Sequence, residues 1–106
     1  MSWSGFPVEG MVLALIDDTR HESFRFSPGG IVAATIGLRG GALAAPLWQW
    51  RVVQDHLVIG ADPGGDVMAD LHGPTLEGDL LSARAGATAC SYRVSWTPPP
   101  PVRRLP

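Results

Sequence analysis

The sequence predicts one all-β domain, in which about eight short antiparallel strands follow one another as a meander and close into a small or flattened barrel. Apolar runs of about 5–9 residues recur along the chain, separated by short turn signals. No stretch after residue 18 keeps a helical period. Most links are too short for a crossover helix, so neighbouring strands should pair antiparallel. Closure of the sheet would then remove its exposed edges.

The first half of the chain supplies four predicted strands. Met11 to Ile16 is apolar, but its spacing also fits one face of a helix, so strand and helix both stay open. Glu22 to Ser27 alternates phenylalanine with polar residues, and Pro28-Gly29-Gly30 then turns the chain. Ile31 to Ile36 is small or β-branched throughout, so both of its faces could be buried. Leu47 to Val53 follows a glycine-rich connection and places its tryptophans on one face.

The second half supplies four more strands, separated by turns built from Gly, Pro and Asp. The last of them places Cys90, Tyr92 and Val94 on one face. We expect Gly73-Pro74 to link the sixth strand to the seventh. The four predicted strands are His56 to Gly60, Asp66 to His72, Thr75 to Ser82 and Thr88 to Trp96.

Composition limits the classes of function. The 106 residues suffice for one core, which we place at residues 1–97, and residues 98–106 are read as an exposed proline-rich tail. A net charge of −2 without basic clusters argues against nucleic acid as a partner. Only 17% of the residues are charged, which favours association, so we expect a homodimer or a higher oligomer.

The cysteine count and the N-terminus bear on chemistry and location. A single cysteine, Cys90, excludes an internal disulfide and a multi-cysteine zinc site, and we expect no metal and no cofactor. The chain lacks the start of a signal peptide and any apolar stretch long enough for a bilayer. We therefore expect a cytoplasmic protein without a membrane partner. All basic residues are arginine and asparagine is absent, which is typical of GC-rich bacterial genomes.

Two stretches of the sequence resemble small bacterial lipocalin-like proteins of the calycin type. In Phe24-Arg-Phe-Ser-Pro-Gly-Gly-Ile-Val, an F-x-F-x-x-x-G hairpin precedes a strand with paired aromatics. In Trp48-Gln-Trp-Arg-Val-Val-Gln-Asp-His-Leu-Val-Ile, that strand is followed by L-x-I. The resemblance covers residues 22 to 96, but the chain has no clear G-x-W opening motif and no disulfide. It implies a cup that binds a hydrophobic or aromatic small molecule. Some such bacterial proteins are isomerases, cyclases or decarboxylases.

The aromatic residues are the candidates for ligand binding. Tryptophans on one strand face could wall a pocket by stacking, fill a narrow core or form a dimer contact. Arg25 should point outward if its phenylalanine neighbours point inward, and could bind a carboxylate if the strand is inverted. The predicted ligand-binding residues are Phe24, Arg25, Phe26, Trp48, Trp50 and Tyr92.

The candidates for catalysis are Asp70, His72 and Tyr92. Asp70 and His72 lie two residues apart on one strand face, and a carboxylate near an imidazole suits general base work. The competing interpretation places both of them in solvent, with Val67, Ala69 and Leu71 inside. Tyr92 could orient a ligand or be a structural tyrosine with a satisfied hydroxyl.

Three functions follow from these observations. The first is a binding protein for a small apolar or aromatic molecule held in the barrel. The second is a small enzyme without a cofactor, working in the same cup. The third is a structural or homo-oligomeric interaction module.

Overall fold

A computed structural model gives the structure of residues 2–61 and 65–96. Within these ranges the chain forms one 3-10 turn, Trp3–Gly5, and nine strands. The strands are β1 Met11–Leu15, β2 Arg20–Ser27, β3 Ile31–Leu38, β4 Leu43–Ala44, β5 Leu47–Val53, β6 His56–Gly60, β7 Val67–Glu77, β8 Leu80–Ala85 and β9 Thr88–Trp96.

Eight of these strands close into an antiparallel barrel, which confirms the predicted fold class. Its order is β1-β2-β3-β5-β6-β7-β8-β9, and β1 pairs with both β2 and β9. The two-residue strand β4 is additional and pairs with β3, where Ile36 faces Ala44 and Gly37 faces Leu43. The run that could have been helix is a strand, because pairing on both sides overrides the helical spacing of its apolar residues.

Alternate residues of each strand fill the interior. On β5, Trp48, Trp50 and Val52 are partly buried while Gln49 and Arg51 are exposed, as the sequence predicts. On β3, Val32 and Ala34 are buried, but the opposite face is only half-buried or exposed, so that strand is not enclosed on both sides. The largest fully buried side chains are Trp3, Tyr92, Phe24, Phe26, Met11, Leu13, Leu57, Ile59, Leu71, Leu81 and Val32, with Pro74.

The predicted division between the sixth and seventh strands is wrong. Gly73 and Pro74 do not end a strand; they lie within β7, where the register with β8 shifts between His72 and Thr75. Gly73 has φ +60, which lets the chain bulge and continue in the same direction. The reversal of direction comes later, at Gly78 and Asp79 between β7 and β8.

The link between β5 and β6 is a two-residue hairpin under backbone strain. Gln54 has φ 48 and Asp55 has φ 62, the left-handed values that a type I′ turn requires. Non-glycine residues adopt this region at a cost in free energy.

Replacing Gln54 with Gly should therefore raise the free energy of unfolding by about 0.5–1 kcal/mol, measured by urea denaturation. The matched control is Gln49→Gly, in the interior of β5. This variant should lower the free energy of unfolding by about the same amount. A destabilised Gln54→Gly variant would show that the turn carries no strain.

The barrel has two different ends. The end that carries the β2–β3, β5–β6 and β7–β8 turns is called the base, and the opposite end is called the mouth. At the base, the Trp3 side chain is fully buried and its indole Nε1 donates to the carbonyl of Leu71 at 2.8 Å. The Trp3 backbone N–H donates to Oδ1 of Asp55 at 2.7 Å. Phe6 packs edge-on against Trp3 and stacks on Trp96. The N-terminal segment therefore closes the base.

Two sequence predictions concern residues outside the part of the chain that the structure describes. The proline-rich tail, residues 98–106, lies outside the described residues, and so does the exact end of the domain at residue 97. Over residues 2–61 and 65–96, no helix has the length and apolar character needed to cross a membrane.

Candidate functional site

A cavity of about 230 Å³ opens at the mouth of the barrel. Its apolar wall comes from three neighbouring strands and from the start of β7, and its polar groups come from the first residues of β2. We call this cavity the cup, and its lining residues are Arg20, His21, Glu22, Phe24, Ile36, Gly37, Trp48 and Met68.

The strand β2 supplies four of the eight lining residues, and alternation explains three of them. Arg20, Glu22, Phe24 and Phe26 are spaced two residues apart, so their side chains fall on the inner face of the strand. Exposure falls along this series from the mouth inward: Arg20 is exposed, Glu22 is half-buried and the phenylalanines are fully buried. Ile36 lies directly opposite Glu22 on β3 and adds an apolar side chain to the wall.

Gly37 lets the short strand β4 pack closely against β3 beside the cup. A Cβ atom at this position would lie 2.5 Å from the carbonyl oxygen of Ala42 and 2.8 Å from a methyl group of Leu43. Both distances are below van der Waals contact, so any side chain would push β4 away from β3. The short strand can therefore fold against the rim only because residue 37 is glycine.

Some of the predicted aromatic ligand-binding residues line the cup, and others belong to the packed core. Phe24 and Trp48 line the cup, but Phe26 and Trp50 do not. Trp50 packs edge-on against Phe26, with ring centroids 6.0 Å apart, and its indole Nε1 donates to the carbonyl of Ser27 at 3.1 Å. These two residues form the packed layer on the base side of the cup, and of the predicted aromatic residues Phe24 and Trp48 line its space.

Glu22 is the unusual group in the cup. Its carboxylate is half-buried, and burial raises its pKa, an effect that the nearby charge of Arg20 opposes and that of Asp17 reinforces. Among the described residues it has no hydrogen-bond or ion-pair partner. No fully enclosed side-chain polar atom in those ranges lacks a partner, so the Glu22 oxygens reach the open space of the cup.

Asp17, in the β1–β2 loop, serves a structural purpose instead. Its Oδ2 accepts hydrogen bonds from the Arg20 backbone N–H at 2.6 Å, the Thr19 hydroxyl at 2.9 Å and the Thr19 backbone N–H at 3.0 Å. These three donors hold its pKa below the usual value. Oδ2 of this carboxylate is therefore occupied in fixing the loop.

Tyr92 lies in the interior but does not line the cup. It is 2% exposed, and burial raises the pKa of its hydroxyl, with further contributions from the charge of Glu22 and from Cys90. The neutral phenol is therefore the form present in the folded protein at ordinary pH.

The other predicted site residues lie on the outer surface of the barrel and are not among the residues that line the cup. Asp70 and His72 belong to the outward face of β7: Asp70 Oδ1 contacts His56 Nδ1 at 2.7 Å, and His72 Nε2 contacts the Gly86 carbonyl at 3.2 Å. The competing solvent interpretation placed them this way, although Val67, which it put inside, is 56% exposed. Arg25 is exposed as well, because the phenylalanines on either side of it point inward.

Sequence reasoning missed six of the lining residues, which are Arg20, His21, Glu22, Ile36, Gly37 and Met68. For Glu22 and Arg20 a signal existed, because the alternation that places Phe24 inside places residues 22 and 20 on the same face. Met68 had no such signal. The register of β7 against β6 is irregular near Gly60, and this irregularity places Met68 beside the cup.

In residues 2–61 and 65–96 no three His, Cys, Asp or Glu side chains come together in a group that could hold a metal ion. No protein-family model matches the chain, and no solved structure matches it. The eight-strand antiparallel barrel is consistent with a calycin-like fold, and neither comparison confirms the lipocalin-like resemblance of the sequence.

Proposed function

We propose that this protein binds a small, largely apolar molecule in the cup at the mouth of the barrel. The observation that carries the proposal is the asymmetry of the two ends. Trp3 seals the base, while Phe24, Ile36, Trp48 and Met68 leave an apolar space at the mouth. Ligand sites are typically concave, mostly apolar and equipped with a few polar groups, which is the composition of this cup.

The size of the cup limits the ligand. Pockets for drug-sized molecules measure about 300–1,000 Å³. A volume of about 230 Å³ accepts one ring with a short chain, or an aliphatic molecule of similar bulk. Stacking or edge contacts with Trp48 and Phe24 favour an aromatic body.

A titration of Trp48→Ala with small aromatic molecules tests this proposal. We expect the dissociation constant to rise about tenfold or more, because the variant loses the large apolar contact surface of the indole. The matched control is Gln49→Ala, on the exposed outer face of the same strand, which should bind like the wild type. Calorimetry measures both, since the substitution removes a fluorophore.

A second measurement identifies the site directly. Bound ligand should change the fluorescence of a Trp50→Phe variant, which keeps Trp48, more than that of a Trp48→Phe variant, which keeps Trp50. Equal responses, or an unchanged affinity for Trp48→Ala, would contradict binding in the cup.

The enzyme hypothesis has weaker support than binding. Two of its three predicted residues, Asp70 and His72, face away from the cup, and Tyr92 does not line it. The homodimer and the cytoplasmic location stay predictions. Exposed apolar side chains around the mouth, including Leu38 at 63% and Leu47 at 71%, are where we propose a second copy would associate.

A further inference from the structure

The Glu22 carboxylate is half-buried beside the apolar wall of the cup, where losing its hydration costs free energy. It lies opposite Ile36 on the neighbouring strand, and Phe24 and Trp48 belong to the same lining. A carboxylate held against apolar walls depends on water for its hydrogen bonds, since no described side chain supplies one. Any ligand that enters the cup must displace some of that water.

We propose that the ligand is a small organic cation, a protonated amine carried on an aromatic or compact aliphatic body, and that Glu22 binds its ammonium group. The inference rests on the function proposed above and adds the charge of the ligand. It assigns Glu22 as the residue that decides specificity.

Displacing water from the Glu22 carboxylate has a different effect on the binding of a cation than on the binding of a neutral ligand. A neutral apolar molecule would strip water from the Glu22 oxygens and leave the charge unpaired, which opposes binding. An ammonium group replaces the lost water with charge-assisted hydrogen bonds to the carboxylate. The faces of Trp48 and Phe24 add a cation–π attraction when the ammonium lies beside them.

The other charged groups near the cup either repel or attract a bound cation. Arg20 lies at the rim and is exposed, and its positive charge opposes a bound ammonium. Asp17 also acts on Glu22, but its Oδ2 already accepts three hydrogen bonds, two from Thr19 and one from the Arg20 backbone N–H. His21 lines the cup as well. Glu22 is therefore the acceptor for the cation, and Arg20 supplies a control of opposite sign.

Three probes of matched size, measured by calorimetry at pH 7 and low salt, test the charge of the ligand. They are 2-phenylethylamine, which is a cation, 2-phenylethanol, which is neutral, and 3-phenylpropionate, which is an anion. We expect the wild-type protein to bind the amine about tenfold more tightly than the alcohol, the ratio typical of a hydrogen bond to a charged group.

Two variants then assign the preference to a residue. Glu22→Gln should remove the amine preference, raising the dissociation constant for the amine about tenfold while that for the alcohol stays the same or falls. Arg20→Gln should lower the dissociation constant for the amine, because a repulsive charge is removed. Retained binding of the alcohol by Glu22→Gln shows that this variant is folded.

The outcomes separate the two proposals. If the alcohol or the anion binds as tightly as the amine, the cation inference is wrong while the binding function stands. If Glu22→Gln keeps the preference for the amine, the inference is also wrong, because another group must bind the charge. If none of the three probes binds the wild-type protein, the proposed function fails and the inference fails with it.

Discussion

Replacing Trp3 with Ala should lower the free energy of unfolding by about 3–5 kcal/mol, the range found when large buried aromatic side chains are truncated. The Trp3 ring is 1% exposed and closes the base of the barrel against Phe6, and its indole donates to the Leu71 carbonyl. The variant loses this packing and leaves that carbonyl without its partner. Small domains have only about 5–15 kcal/mol of stability, so the loss is a large share of it.

Urea denaturation followed by far-ultraviolet circular dichroism measures this effect without depending on tryptophan fluorescence. Trp3→Phe keeps an aromatic ring but lacks the indole N–H, so its free energy of unfolding should fall less than that of Trp3→Ala. Ser4→Ala, at an exposed neighbouring position, should change the free energy of unfolding by about 0.5 kcal/mol or less. A Trp3→Ala variant as stable as Ser4→Ala would mean that the N-terminal turn does not close the barrel.

Replacing Phe26 with Ala should also lower the free energy of unfolding by about 3–5 kcal/mol. Phe26 is 1% exposed and lies between Phe24, with ring centroids 6.3 Å apart, and Trp50, with ring centroids 6.0 Å apart. Removal of the ring leaves a cavity in the packed layer on the base side of the cup. The fully enclosed position leaves little room for neighbouring side chains to fill it.

The control for this variant is its neighbour on β2, Arg25→Ala, at an exposed position on the outer face. It should change the free energy of unfolding by about 0.5 kcal/mol or less. Equal losses for the two variants would show that the two faces of β2 are not divided between core and solvent. Because Phe26 does not line the cup, any Phe26→Ala protein that remains folded should still bind the ligand of the wild type.

The local pattern of turn residues and alternating apolar residues predicted most of the strands of the barrel. The strands β5, β6 and β9 have the predicted bounds, because turns and alternation mark both ends of each run. The Gly73-Pro74 pair misled the prediction, since the same dipeptide that ends a strand in a turn can lie inside a strand as a bulge. Choosing between turn and bulge depends on the partner strand, which the local sequence does not contain.

The candidate site was only partly predictable for the same reason. Phe24 and Trp48 were among the predicted ligand-binding residues because alternation places large rings on one face, and both line the cup. Nothing in that alternation distinguishes them from Phe26 and Trp50, which have the same phase on the same strands. The distinction is one of depth, and depth is set by the stagger of the strands around the closed barrel.

By itself the sequence determined the all-β class, the meander order and which face of most strands turns inward, since a period of two residues is a local property of an extended chain. Only the tertiary structure decided that the N-terminal turn seals the base and that Met68 reaches the cup. Each of these depends on register between strands or on contacts between distant segments. Such contacts form when the sheet closes, and no short stretch of sequence records them.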